Sequence, residues 1–308
     1  MHMLLFRCFS SRPAFVLIPG LLLGLILGSC TGGSTPESPI RGEMRLVADP
    51  GLLSVASMQS ELFTRYYPDA RVVTIGADSL SALNSLLSGR SKAALTLRCP
   101  SPDAGKLTPS LRVEPVARDA VVLVVNENSP LTYISKEAVF QAFSGMRADG
   151  DNGLLPLIAA DDTILRELLD GGDALKGRKL QAYGCRSQQE MLQRVAGDSH
   201  AVGIILRSAF QTARADHAAP DKLRLLAVSA DAAGAEPVTP DPENILNGSY
   251  PFVAEVCYIY YSGEALPAGF GAWLSAEGQK AFENGPLVPY RQRVRTIILS
   301  AKQASDPL

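Results

Sequence analysis

From Glu43 onward, short apolar runs alternate with longer stretches whose apolar residues recur at helical spacing. Glu43 to Ala48 reads as a strand through Met44, Leu46 and Val47, with Asp49-Pro50-Gly51 as the turn after it. Val55, Met58, Leu62 and Tyr66 share one face of a helix from Leu53 to Tyr67, which Pro68 stops. Arg71 to Ile75 is the next strand. Ser79 is placed to cap a second helix, with Leu80, Leu83 and Leu87 at helical spacing and Gly89 as its stop. Lys92 to Leu97 is a third strand. This β-α-β-α-β order with short connections predicts a mostly parallel sheet covered by helices.

The pattern changes at Leu111 to Asn126. Val121-Val122-Leu123-Val124-Val125 is a continuous apolar run, as a central strand buried on both faces requires. Ser135 caps a short helix, Lys136 to Phe143, closed by Gly145. Leu154 to Ala159 is a strand, Asp162 begins a helix from Thr163 to Leu169, and Gln181 to Tyr183 is a strand. Ser187-Gln188-Gln189-Glu190 is a capping box opening a helix to Val195. Ala201 to Leu206 follows as a strand, which gives a second β/α set from about 122 to 230. Ala232 to Asn247 reads as a connector, Phe252 to Tyr261 as a long strand, Ser275 to Phe282 as a helix and Val294 to Leu299 as a last strand.

The first thirty residues follow neither pattern. Arg7 and Arg12 precede an apolar stretch, Ala14 to Leu27, broken by Pro19, Gly20 and Gly24. That is shorter than the roughly 20 apolar residues a membrane span needs. Basic start, apolar middle and small residues at the end make a secretory signal. It ends Leu27-Gly28-Ser29-Cys30, which resembles a bacterial lipobox. The resemblance implies lipidation at Cys30, a signal peptide over 1–29, and a Gly/Ser/Thr/Pro-rich tether over 30–43.

Composition narrows the chemistry. Of 308 residues 46% are apolar, enough for a real core, and 29 Lys and Arg against 31 Asp and Glu exclude a nucleic-acid binder working by bulk charge. Three histidines, none with a partner at ligand spacing, predict no metal site and no cofactor. Besides Cys8 in the signal and Cys30, Cys99, Cys185 and Cys257 remain, an odd number, so at least one stays unpaired or pairs between chains. Cys185 and Cys257, beside apolar segments, read as buried small hydrophobes. Neither a Gly-x-Ser-x-Gly elbow nor a phosphate loop ending Gly-Lys-Ser/Thr occurs, so no enzyme is predicted.

Several segments in order resemble the PstS-type phosphate-binding proteins of the type II periplasmic solute-binding fold. Val116-Ala117-Arg118-Asp119-Ala120 through Asn126 is similar to that family's strand entering its second lobe. Leu131 to Gly145 is similar to the helix after it, Pro251-Phe252-Val253-Ala254-Glu255-Val256 to the strand returning to the first lobe, and Phe270 to Pro289 to the C-terminal helix and turn. The likeness spans residues 44 to 299 and is nearest to a divergent Bacteroidetes lipoprotein branch, some of whose members accompany TonB-type systems. It implies an α/β, two-lobed fold: lobe one over 44–120 plus 235–308, lobe two over 121–234, each a mostly parallel sheet with helices on both faces.

The resemblance also implies a function. A small oxyanion, phosphate favoured, is captured in the inter-lobe cleft for an ABC-type or TonB-type membrane complex, on a protein lipid-anchored in the cell envelope and facing the periplasm. Free N–H groups at helix N-termini, small hydroxyls and an arginine suit such a ligand. Thr96, Arg98, Asp162 and Thr163 match the family's ligand positions, and Ser79 adds a hydroxyl. The family's glycines and most of its serines are absent: its loops read here Asp49-Pro50-Gly51-Leu52-Leu53-Ser54, Gly76-Ala77-Asp78-Ser79 and Ala160-Asp161-Asp162-Thr163. Those losses favour an alternative, an accessory envelope interaction lipoprotein that kept the fold and lost anion binding. That alternative predicts a cleft plugged by Leu52, Leu53 or Leu97.

Overall fold

The computed structural model describes residues 36–97, 99–100, 110–145, 153–160, 162, 180–230 and 235–291. Met1–Pro36 and Glu37–Leu308 are separate units, and every element below belongs to the second.

The opening segment forms as its pattern predicts. Strand β1 (Gly42–Ala48), a 3-10 turn (Pro50–Leu52), α1 (Leu53–Tyr66), β2 (Ala70–Gly76), α2 (Ser79–Leu87) and β3 (Ala93–Thr96) follow in order. β1 lies parallel to and between β2 and β3. Then come β4 (Leu111–Asn126), β5 (Tyr133–Ser135), α3 (Lys136–Phe143), β6 (Leu155–Ala159), β7 (Tyr183–Cys185), α4 (Gln188–Gly197), β8 (Ala201–Leu206), α5 (Arg207–Ala215), β9 (Leu223–Leu225) and β10 (Ala227–Ser229). The chain continues through α6 (Pro242–Leu246), β11 (Val253–Tyr261), α7 (Ala265–Ser275), α8 (Gln279–Glu283) and β12 (Val288–Pro289).

The main sheet runs β2-β1-β3-β11-β4-β8-β6-β7, with β9 and β12 also on β4. Its flanks are parallel, and the pairs around β4 are antiparallel. β4 serves two sheet segments. Leu111 to Ala120 pairs with β11, and Val121 to Val125 pairs with β8. Its register against β11 shifts between Val256 and Cys257, beside Pro115, whose missing N–H a bulge tolerates. Ala120 to Asn126 is buried throughout, as the apolar run requires. Each such Val or Leu contributes about 1.5–3 kcal/mol on burial. One hydrophobic cluster runs along β4 through both segments.

The tail rejoins the beginning. β11 inserts between β3 and β4, and α7 packs on α1 through Phe63, which meets Phe270 edge-on at 5.2 Å and Trp273 at 5.8 Å. Gln59 joins the same contact: its amide nitrogen donates to the Gly278 carbonyl at 2.9 Å and its oxygen accepts from the Trp273 indole at 3.0 Å. A Cβ at Gly269 would lie 1.9 Å from the Pro39 carbonyl oxygen, so only glycine fits there. A disulfide joins Cys99, just past β3, to Cys257 on β11 (Cα–Cα 5.3 Å).

Several expectations need correction. Asp78, not Ser79, caps α2; its carboxylate accepts the Ser81 N–H at 2.9 Å. Leu80 and Leu87 face solvent, 64% and 49% exposed, while Ala82 and Leu86 face the core. Cys257 is half of a disulfide rather than a free buried thiol; Cys185 is the buried free cysteine. The closing helix is Ala265–Ser275, ending where the pattern had one begin, with short α8 behind it. The strand read at Gln181 to Tyr183 lies at Tyr183–Cys185, and the connector over 232–247 contains α6. The helix read over 163–169 and the strand over 294–299 lie outside the described residues.

The disulfide closes a loop across a separation of 158 residues, which the chain-entropy picture values at about 5 kcal/mol. Replacing both cysteines by serine should lower the urea midpoint by the equivalent of about 2–5 kcal/mol, with a steeper slope because the unfolded chain exposes more surface without the bridge. An unchanged midpoint would mean that the bridge does not constrain the unfolded chain.

Candidate functional site

In sheets of this kind ligands bind beyond the carboxyl ends of parallel strands. Three such ends meet beyond β1, β2 and β3. Asp49 leaves β1 and is fully buried. Its backbone N–H donates to the Leu95 carbonyl at 3.0 Å, and its carbonyl accepts the Leu52 N–H at 2.8 Å, which starts the 3-10 turn. The side chain therefore points where the three ends converge. Ser79 Oγ donates to both carboxylate oxygens, at 3.0 and 2.9 Å, and the Leu97 N–H donates to Oδ2 at 2.6 Å. In all three contacts the carboxyl accepts, as an ionised group must.

The other segment supplies a second cluster. Asp162, just beyond β6, is buried and accepts the Gln188 amide at 3.0 Å. Gln188 is the first residue of α4, whose N-cap is Ser187 as the capping box predicts; Ser187 Oγ accepts the Glu190 N–H at 3.2 Å. The Arg186 side chain and backbone N–H both donate to Glu190, and they hold its carboxyl below the usual range.

Asp119 stands where β4 changes partners. It is buried, and its carboxylate accepts the Ala120 N–H at 2.8 Å, the Ser208 N–H at 3.1 Å and the Ser208 hydroxyl at 2.5 Å. It thus caps the first turn of α5 from 89 residues away. Beside it, Arg207 donates to the carbonyls of Pro240 at 3.0 Å and Pro286 at 2.9 Å. Arg118 donates to the Leu246 carbonyl and lies 4.9 Å from the Tyr290 ring centroid.

Between these clusters lies a pocket of about 270 Å³. Gly51 of the 3-10 turn and Ser54 of α1 line it on one side, and Gln188 from the start of α4, Ser208 and Thr212 from α5 and Asp216 just past its end on the other. The N-terminus of α1 carries no side-chain cap; the Leu53 N–H donates to the Pro50 carbonyl of the 3-10 turn before it. Among the described residues lining it there is no lysine or arginine.

The expected ligand residues fall into separate places. Ser79 joins Asp49, and Asp162 joins Gln188. Thr96 is buried on β3, paired in register with Cys257 of β11. Arg98, Thr163 and Cys30 lie outside the described residues. Sequence reasoning missed Asp49 as a site group and missed the whole of α5. Asp49 was legible as the first residue after a parallel strand. Helix α5 was not, because its cap comes from Asp119, far away in the chain.

A family model described as a PBP superfamily domain matches residues 33–277. The chain belongs to that family. No curated protein sequence matches it. Among solved structures it is similar to an ABC-type phosphate transport receptor from Vibrio cholerae, at 17% identity and TM-score 0.64, over 80% of this chain and 99% of that one. It is similar to a putative phosphate ABC transporter substrate-binding protein with bound phosphate from Clostridium perfringens, at 17% identity and TM-score 0.61, over 81% and 100%. PstS from Borrelia burgdorferi matches at 12% identity and TM-score 0.60, over 82% and 100%. The fold is therefore the two-lobed periplasmic-binding-protein type, as the segment resemblances imply. The two sheet segments of this PBP-family chain, meeting on β4, correspond to that architecture.

Burial pushes the Asp119 carboxyl up to about 6 from the usual 3.8, against the opposing pull of Ser208, Ala120 and Arg207. Between those two values the folded chain holds the proton and the unfolded chain does not. Stability should therefore fall as pH rises through that window and level off above about 6. The difference in unfolding free energy between wild type and Asp119→Asn, measured from pH 4 to 8, should trace that decline; a flat difference would remove Asp119 as its source.

Proposed function

We propose that this PBP-family chain is a cell-envelope solute-binding protein and not an enzyme. It holds a small solute between lobe one (44–120 plus 235–308) and lobe two (121–234), and a membrane complex of ABC or TonB type reads the closed form. The observation that carries this reading is the pocket itself: it is lined on one side by the Gly51 turn and the start of α1 and on the other by the start of α4 and one face of α5 along its length. Closure about the Ala120–Val121 crossing would tighten that space, and a solute favours closure only as far as it binds the closed form better. The Cys99–Cys257 bridge supports an oxidising compartment, and the signal with its lipobox supports an anchor at Cys30 facing the periplasm.

Phosphate is the first oxyanion to consider, because the similar solved structures include a phosphate transport receptor and a substrate-binding protein with bound phosphate. The second reading, an accessory envelope lipoprotein without anion binding, is favoured by Asp49 and by the complete burial of Leu52 and Leu97. Thermal melting of the purified protein with phosphate, sulfate, organic acids, sugars and amino acids separates the two. A bound solute at 100 times its dissociation constant should stabilise by about 2.7 kcal/mol. The same solute should do nothing for Thr212→Trp, which fills the pocket. No shift with any solute would leave the accessory reading.

A further inference from the structure

Helix α2 turns Ala82 and Leu86 to the core, and its leucine stripe outward: Leu80 and Leu87 are 64% and 49% exposed, with half-buried Leu83 between them. Ile75, near the end of β2, is 42% exposed beside them. It pairs in register with Val47, which packs with Ala82 and Leu86, so it lies on the α2 side of the sheet. We propose that this face is the contact surface of a weak two-fold dimer, in which the α2 helices of two copies of this chain pack antiparallel. The face shares no residue with the described lining of the solute pocket, so the dimer and solute capture stand or fall separately.

The argument for a second copy is one of symmetry and charge. A two-fold contact sets a surface against itself, so it must be free of like charge near its axis. None of the nine residues of α2 is charged. The spacing of Leu80, Leu83 and Leu87 is that of a coiled-coil seam. With the axis beside Leu83 and Asn84, Leu80 of each helix meets the partner's Leu87. Charges stand only beyond the two ends. Asp78 caps the start, its carboxylate accepting the Ser81 N–H at 2.9 Å. At the other end Gly89, at φ +72°, turns the chain so that the Arg90 N–H donates to the Ser85 carbonyl at 2.9 Å, which keeps Arg90 on the last turn. The exposed Arg90 side chain donates to the Ser88 hydroxyl at 3.0 Å. Arg45, on the same face of β1 as Val47, adds a cation near that end: the Lys92 N–H donates to its carbonyl at 3.1 Å. Asp78 and Arg90 are centred on Asn84, and Leu80 and Leu87 between Leu83 and Asn84. One axis therefore serves both pairs, and it sets each Asp78 against the partner's Arg90 while the leucines meet between them. Antiparallel helix dipoles add to the attraction. A stable interface buries about 800 Å² per partner, more than one short helix face with Ile75 supplies, so the dimer is a weak one.

Sedimentation equilibrium of the chain from residue 31, which keeps every described element, is the test. The average mass should rise from one chain toward two with a dissociation constant on the order of 10–100 μM. Leu80→Ser combined with Leu87→Ser, at exposed positions outside the core, should weaken association at least ten-fold at an unchanged melting temperature. Arg90→Glu, which faces the partner's Asp78 with a like charge, should weaken it about three-fold. Asn84→Cys, beside the axis, should give a disulfide-linked dimer with oxidised glutathione, and the two serine substitutions should abolish it. A single-chain mass at every concentration overturns the proposal, and so does association that the serine pair leaves unchanged. A single chain that instead floats with phosphatidylethanolamine–phosphatidylglycerol vesicles, and stops doing so in the serine pair, also overturns it and gives the face to a lipid surface.

Discussion

The structure depends on one strand belonging to two sheets. β4 pairs with β11 up to Ala120 and with β8 from Val121 onward. At that crossing the backbone is buried on both faces, so its polar groups need internal partners. The strand is accordingly apolar over Val121 to Val125, and the polar atoms around it are met from distant parts of the chain. The Tyr250 hydroxyl donates to the Val121 carbonyl at 3.1 Å, and the Gln279 amide donates to that of Val116 at 2.8 Å. At the crossing the Asp119 carboxylate accepts three donors. Two of them belong to the first turn of α5, the helix that lines the pocket. The crossing and the pocket wall are therefore coupled through this side chain as well as through the pairing of Val121 with Leu206, the residue before α5.

The same constraint explains why the tail must come back. β3 needs a partner on its outer side, and that partner is β11, more than 150 residues later; the disulfide across this pair has a separation of 158. α7 then covers α1 with the Phe63, Phe270 and Trp273 cluster, and Gln59 satisfies the indole and the Gly278 carbonyl at once. The sheet segment that holds β1, β2 and β3 is thus completed by β11, from far along the chain.

Much of this was legible from residue pattern. The opening β-α-β-α-β order, the buried run of β4, the Ser135 and Ser187 caps and the returning strand follow from local periodicity and capping chemistry. The failures share a cause. Leu80, Leu83 and Leu87 have helical spacing, yet α2 turns Ala82 and Leu86 to the core, because which stripe faces inward is set by the sheet it packs on. α5 lacks a local cap because Asp119 supplies it. α7 holds Pro267, Gly269 and Gly271, which argue against a helix locally, but the close approach of Pro39 needs glycine at 269. Ser79 looked like a cap because it sits one residue from the real one, and its hydroxyl was free to turn to Asp49.

The site was the least legible part, for a physical reason. Pairing, burial and crossing geometry are fixed by backbone hydrogen bonds and apolar area, which many sequences supply, so similarity at 17% identity still carries the fold. What such a cleft accepts is set by a few polar atoms whose partners change with a single residue. Beyond β1 the Asp49 carboxylate accepts from the Ser79 hydroxyl and the Leu97 N–H, contacts that no local pattern in the chain announces. Fold and polar detail are decoupled at that point: the strand ends are held by the backbone pairing of β1 with β2 and β3, whatever side chains stand beyond them.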